Sequence, residues 1–153
     1  MDGFIQISLK DMIDQVGEER VKSILSTFSC PMNKDVEQFL SHTAIEFAKQ
    51  RIASTHLVFT SYKKELVLIG YYSLATKVIN ITRASLSKTL RKKVVKFSAF
   101  DSELKNYFLP APLIAQLGKN FSNNYNKLIT GDELLKLALD KVVAIQQAFS
   151  GKI

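Results

Sequence analysis

The sequence predicts an α+β fold, and three stretches carry that prediction. Val36, Phe39, Leu40, Thr43, Ala44, Phe47 and Ala48 recur at steps of three and four, the period of an amphipathic helix. Thr55–Tyr62 and Leu66–Ala75 are β-rich runs joined by the tight polar connection Lys63-Lys-Glu65, which reads as a hairpin. The third stretch, Leu109 to Phe149, reads as an apolar strand, a polar loop and a strong helix.

Residues 1–27 read as an N-terminal helical arm and residues 28–153 as the main domain. In the arm, Ser8-Leu-Lys-Asp11 resembles a capping box, and Leu9, Met12, Ile13 and Val16 follow at helical spacing. Gly17 interrupts that pattern, and Val21, Ile24 and Leu25 resume it. Asn33 is a good N-cap for a helix reaching about Gln50. Gly70 inside the second hairpin strand predicts a bulge or a close backbone approach. Ser85 to Phe97 reads as a helix with Leu86, Leu90, Val94 and Phe97 on one side. Asp101 to Phe108 reads as a loop or a short helical turn. Leu109–Gly118 is the next strand, Lys119–Lys127 a polar loop, and Asp132–Gln147 the long helix, with Gly151 as its stop signal.

The chain has 153 residues, enough for one domain, and 46% of them are hydrophobic. No apolar run is long enough to cross a bilayer, and Met1-Asp-Gly-Phe lacks the basic start of an export signal. A single cysteine, Cys30, allows no internal disulfide and fits a reducing, cytoplasmic setting. Cys30, His42 and His56 show no ligand spacing, so no metal site is expected.

The formal charge of +7 is concentrated in one segment. Between Glu65 and Asp101 there is no acidic residue, and Lys77, Arg83, Lys88, Arg91, Lys92, Lys93 and Lys96 carry the whole imbalance. Lys88, Arg91, Lys92 and Lys96 share one side of the expected helix. Such a run is usually a solvated face, but here it lacks the acids that normally intersperse one. Its alternative is a surface for a polyanion, since lysine and arginine attract phosphate backbones without reading sequence.

The strand, loop and helix of the last stretch suggest a phosphate site, because the first amides of a helix lack intrahelical partners. Helix, hairpin, strand, loop and long helix in this order resemble the acyl-CoA-dependent N-acetyltransferase (GNAT) superfamily. In that family a loop of pattern Q/R-x-x-G-x-G/A holds the coenzyme A pyrophosphate. Here Asn126-Lys-Leu-Ile-Thr-Gly131 aligns with it. Asn126 stands at the Gln/Arg position and Ile129 at the first glycine, while Gly131 keeps the last. Phe28-Ser-Cys with Asp35–Leu40, Gly70–Ala75 and Leu113–Gly118 are similar to the toxin-like, tRNA-acetylating branch. Read as a plain sequence, Asn126 to Gly131 is also an ordinary strand-to-helix connection.

The resemblance implies a mixed, mainly antiparallel sheet flanked by helices, here C-terminally incomplete because the family continues past the position of Ile153. It implies acetyl-CoA as cofactor, bound by Leu117, Gly118 and Lys119 of the strand and by Asn126, Lys127, Leu128, Ile129, Thr130 and Gly131 of the loop. It implies transfer of an acetyl group to an amine, with aminoacyl-tRNA as a candidate acceptor and the basic helix as its contact. Tyr71, Tyr72, Tyr107 and Tyr125 are available, but none falls on the position that protonates the leaving thiolate, so the catalytic residues are unknown. The alternative is a non-catalytic protein on the same scaffold, binding nucleic acid or a partner protein. An apolar strand left at a sheet edge recruits partners, so a homodimer or a completing chain is expected.

Overall fold

The computed structural model describes residues 3–82, 87–89, 99–101 and 106–149. Its helices and antiparallel sheet agree with the predicted α+β class. Contacts divide the chain into two units, Met1–Ala75 with Ile114–Ile153, and Thr76–Leu113.

In the first unit, strand β1 (Phe4–Ser8) leads into helices α1 (Leu9–Val16) and α2 (Glu18–Leu25). Ser8 caps α1 by accepting from the Asp11 amide, and Gly17 separates the helices at φ 88°, where a side chain would be strained. The strand ahead of Ser8 was not read from the sequence. Phe4-Ile-Gln-Ile-Ser is too short to show a period, and it is held by pairing with β2 from Phe4↔Thr60 to Ser8↔His56. Asn33 caps α3 (Lys34–Gln38) through the Val36 amide. A π-helical turn, Phe39–Thr43, joins α3 to α4 (Ala44–Lys49). The predicted hairpin is β2 (Ala53–Tyr62) and β3 (Glu65–Thr82), antiparallel, with Lys63 and Lys64 in left-handed conformations at the turn.

Both outcomes expected of Gly70 occur together. The β2–β3 register shifts there: Val58 faces Gly70 and Phe59 faces Leu68, leaving Ile69 as the extra residue. The bulge rephases β3, so Leu68 and Tyr71 face one side although three residues apart, and Ile69, Tyr72 and Leu74 face the other. A Cβ at Gly70 would lie 3.0 Å from the Gly118 carbonyl oxygen and 3.3 Å from Leu134. Glycine suits the position because the strand of Gly118 and the C-terminal helix close in on the same point.

The strands of this unit stand in the order β1, β2, β3, β5, with β5 spanning Asn106–Lys119. Alternation along β2 sends Leu57 and Phe59 into a core with α1 to α4, and Val58 into a core with helix α5 (Gly131–Phe149). In the second unit β4 (Ala99–Asp101) pairs antiparallel with the start of β5. Asn106 to Phe108, expected as loop or helical turn, are therefore strand. Pairing with Ala99–Asp101 decides them, and three residues carry no period to announce it.

Candidate functional site

The stretch expected to hold a cofactor starts at the end of β5. Its strand is flanked by β3 on one side, and on the other only by β4, which reaches Asn106–Phe108. Among the described residues, Ile114–Lys119 therefore have one open edge. Which backbone groups face it follows from two observations. The Gly118 carbonyl points at Gly70 of β3, and the Asn120 amide donates to the Ile69 carbonyl at 2.8 Å. Successive residues of a strand alternate in direction, so the amides and carbonyls of Leu117 and Lys119 face the open edge, and those of Gly118 do not.

Side chains sort in the same way. Gly118 lies against α3, where an added Cβ would run into Val36 Cγ1. Leu117 packs against the α5 core, as does Ile114, so strict alternation fails between those two positions.

Asn120 fixes the exit from the strand. It is fully buried, its amide nitrogen donates to the carbonyls of Leu68 and Thr27, and its oxygen accepts from the amides of Ser29 and Ser122. All of its side-chain capacity is thereby used within the fold, and sequence reasoning passed over it as one polar loop residue among many. The polar loop then forms a 3₁₀ segment, Ser122–Leu128, with Asn123 and Asn124 in left-handed conformations that asparagine tolerates. Asn126, Lys127 and Leu128 sit on this segment; Lys127 is exposed, and Leu128 packs toward α5.

Ile129 through Leu134 form a complete helix start. The Thr130 hydroxyl accepts from the Glu133 amide at 3.0 Å, and the Glu133 carboxylate accepts from the Thr130 amide at 2.9 Å. This is a capping box. Ile129, 2% exposed, packs in one cluster with Leu134, the hydrophobic contact that fixes the chain's entry angle. Its backbone is extended at φ −147°, which any residue adopts, so isoleucine at the family's glycine position carries no backbone strain. Gly131 has nothing within 4 Å of a built Cβ, and the Gly131 and Asp132 amides have no acceptor among the described residues. The first turn thus offers two free amides beside two carboxylates, Asp132 and Glu133.

The remaining candidates fall elsewhere. Lys88 is exposed, whereas Arg91, Lys92 and Lys96 lie outside the described residues, as does Gly151. Tyr71 and Tyr72 are fully buried, and their hydroxyls donate to the Val36 carbonyl and to Gln6. Burial raises both phenols, so neither is poised to give up a proton. Tyr125 stands edge-on to Tyr62, while the Tyr107 side chain lies outside the described set.

Cys30 is buried, and desolvation pushes its thiol up, away from the thiolate a nucleophile needs. His56 is buried against Tyr72, with Nε2 2.9 Å from Ser54 Oγ. Desolvation, reinforced by the charge of Lys141, lowers it to about 4, so it is neutral at pH 7. No group of metal-ligating side chains occurs among the described residues.

No protein-family model matches the sequence, and comparison with curated proteins finds no relative. Solved structures do match. A point mutant of KacT aligns at TM-score 0.59 with 17% identity, over 96% of this chain and 73% of that one. AtaT complexed with acetyl-methionyl-tRNAfMet aligns at 0.57 with 18% identity, over 98% of this chain and 74% of AtaT. An AtaT mutant toxin bound to the C-terminus of the antitoxin AtaR and acetyl-CoA aligns at 0.59 with 17% identity, over 97% and 71%. The fold is that of KacT and AtaT, in agreement with the mixed, mainly antiparallel sheet flanked by helices that the resemblance implied. No helix among the described residues is long and apolar enough to cross a membrane.

Proposed function

We propose that this chain is an acetyl-CoA-dependent N-acetyltransferase that transfers an acetyl group to an amine, with aminoacyl-tRNA as the acceptor class. The fold shared with acetyltransferase toxins supports the reaction type. The observation that carries the reading is the open edge of β5, running from Ile114 to Lys119 and ending within a short loop of the α5 start. An unpaired strand edge offers alternating amides and carbonyls, which suit the amide-bearing arm of coenzyme A.

The residues present fit that cofactor. Leu117 and Lys119 would bind the arm through outward backbone groups, and one of these amides would polarise the thioester carbonyl. Gly118 serves instead to let the strand approach α3. Gly131, with the free amides of Gly131 and Asp132, would face the pyrophosphate. Asn126, Lys127, Leu128 and Thr130 would shape that loop, with Lys127 supplying a positive charge, while Ile129 anchors it from below. Bound acetyl-CoA would supply an activated acetyl group, which the outward backbone groups of Leu117 and Lys119 would orient.

The proposal takes residues 28–153 as the acetyltransferase domain, to which residues 1–27 add an edge strand and core helices. It places tRNA along Lys88, Arg91, Lys92 and Lys96 and the protein in the cytoplasm. A second copy or a completing chain covers the sheet edge.

Calorimetry with acetyl-CoA tests the reading. Gly131→Trp, at a position with open space above it, abolishes binding while leaving thermal stability within a degree or two of wild type. Absence of binding heat at millimolar acetyl-CoA defeats the proposal. The RNA arm is tested by salt: affinity falls steeply with ionic strength, and Arg91→Glu with Lys92→Glu removes most of it.

A further inference from the structure

A cleft of 480 Å³ lies between α3, the π-turn and β5, lined by Asp35, Gln38, Phe39, His42, Thr43 and Gln116. All six residues belong to the first unit. The π-turn is closed by the Ala44 amide bonding to the Phe39 carbonyl, one residue wider than an α-turn, a device found often at functional sites. Gln116 precedes Gly118 by two residues on the strand, so both project toward α3, about 7 Å apart.

His42 Nδ1 has two neighbours within hydrogen-bond reach. Nδ1 lies 3.3 Å from the Gln38 carbonyl, which can only accept, and 2.8 Å from Ser41 Oγ. Ser41 Oγ also lies 3.2 Å from the Glu37 carbonyl and 3.4 Å from the Gln38 carbonyl, and its hydroxyl can both donate and accept. The Gln38 carbonyl accepts only, so the tautomer that satisfies it carries the imidazole proton on Nδ1. That tautomer leaves Nε2 with a free lone pair, on an exposed ring that lines the cleft. Asp35 supplies the second group: among the described residues its carboxylate has no hydrogen bond or ion pair.

We propose that this cleft is the acceptor subsite, built for a primary ammonium: Asp35 holds the cation, and His42 Nε2 takes the proton it sheds. The inference rests on the acetyltransferase reading and adds where the amine enters and which side chains act on it. The ammonium gives one proton to His42, and the freed nitrogen attacks the thioester carbonyl carbon presented along β5. The C–N bond forms as the C–S bond breaks, and the electron pair leaves with sulfur. Nitrogen loses two protons in all; one ends on the thiol and the other in solvent. Gln116, whose amide also has no partner among the described residues, borders the path between the cleft and the strand end.

The test uses the full chain, with methionyl-tRNA as kinetic substrate and methioninamide as binding probe. Calorimetry first measures acetyl-CoA affinity, which Asp35→Asn and His42→Gln leave unchanged. In turnover, Asp35→Asn raises KM for the amine about 10-fold with little change in kcat, and His42→Gln lowers kcat about 100-fold with KM retained. Glu46→Gln, on the same helical run but outside the cleft, changes neither. Independently of turnover, ¹⁵N spectra of labelled histidines show Nδ1 protonated in His42, and methioninamide shifts its Nε2 resonance but not that of His56. Wild type that fails to bind acetyl-CoA removes the acetyltransferase reading itself. Wild type that binds acetyl-CoA, with methioninamide leaving His42 unshifted or both variants turning over normally, removes the cleft and spares that reading.

Discussion

At the start of α5 the Thr130 amide is held by the Glu133 carboxylate and the Glu133 amide by the Thr130 hydroxyl, whereas the outward amides of Leu117 and Lys119 meet no strand among the described residues. A ligand reaching the strand edge adds hydrogen bonds to groups that otherwise have only water. A ligand reaching the helix start competes with a carboxylate that already caps it, beside a second carboxylate at Asp132. The same cofactor would therefore gain affinity at the edge and meet resistance at the helix. In a fold of this kind the phosphate loop is the more familiar feature, but here the strand is the better prepared of the two.

The largest test of that contrast is Ile129→Gly, which restores the residue usual in the family. It removes a buried side chain from the α5 core and from its contact with Leu134. Stability falls by about 4 kcal/mol in urea titration, as large-to-small core changes do. A loss under about 1 kcal/mol shows that Ile129 is not what seats the helix.

Acid separates the two regions. Burial holds the folded His56 near 4 against an ordinary 6.5, so the unfolded chain binds more protons between those values. Stability contributed by neutral His56 is complete above about pH 6.5 and is lost as pH falls toward 4, by roughly 3 kcal/mol at that limit. His56 stacks on Tyr72, which belongs to the α5 core, so hydrogen exchange at pH 4.5 loosens α5 before α3. His56→Gln flattens the acid limb. An unchanged slope assigns it to other groups.

How much of this was legible in the sequence depends on whether a feature is local. The capping box Thr130-x-x-Glu133, flanked by Ile129 and Leu134, is complete within six residues. It is legible from the sequence directly, independently of the glycines of the family pattern. Gly70 is legible too, because glycine inside a strand pattern has few uses. The strand Phe4–Ser8 is held by a partner about fifty residues along the chain, and Asn106–Phe108 pairs with a three-residue strand too short to show a period. Asn120 gave no signal either: five hydrogen bonds converge on it from Thr27, Ser29, Leu68, Ile69 and Ser122, and only the fold brings those groups together.

The strand side of the comparison is probed next by Gly118→Ala. Its methyl enters the space of Val36 Cγ1, costing about 2 kcal/mol, and Val36→Ala in the same chain recovers about half of that. Additive losses in the double variant place the strain elsewhere. Acetyl-CoA binding survives in the double variant, because the Gly118 amide faces β3 and not the edge.

Glu133→Gln then changes the helix start by a smaller amount. The capping contact weakens and helix stability drops by about 1 kcal/mol. Acetyl-CoA binding moves in the opposite direction, tightening by about fivefold, because one negative charge leaves the site and the Thr130 amide is more readily given up. Weaker binding alongside weaker folding would mean that the carboxylate positions the loop for the ligand and does not compete with it.

The smallest change in stability and the plainest readout belong to the edge. Ala115 is exposed on β5, and lysine there leaves the fold within about 0.5 kcal/mol of wild type. Lysine on an edge strand discourages pairing with another chain, because docking a strand against it would bury or crowd the charge. Sedimentation of wild type is expected to show a dimer at micromolar concentration and that of Ala115→Lys a monomer. If the variant is monomeric and still binds acetyl-CoA, strand pairing and cofactor binding use the edge separately. If both are lost together, the edge is completed only by a second chain, and the cofactor then depends on the assembled sheet.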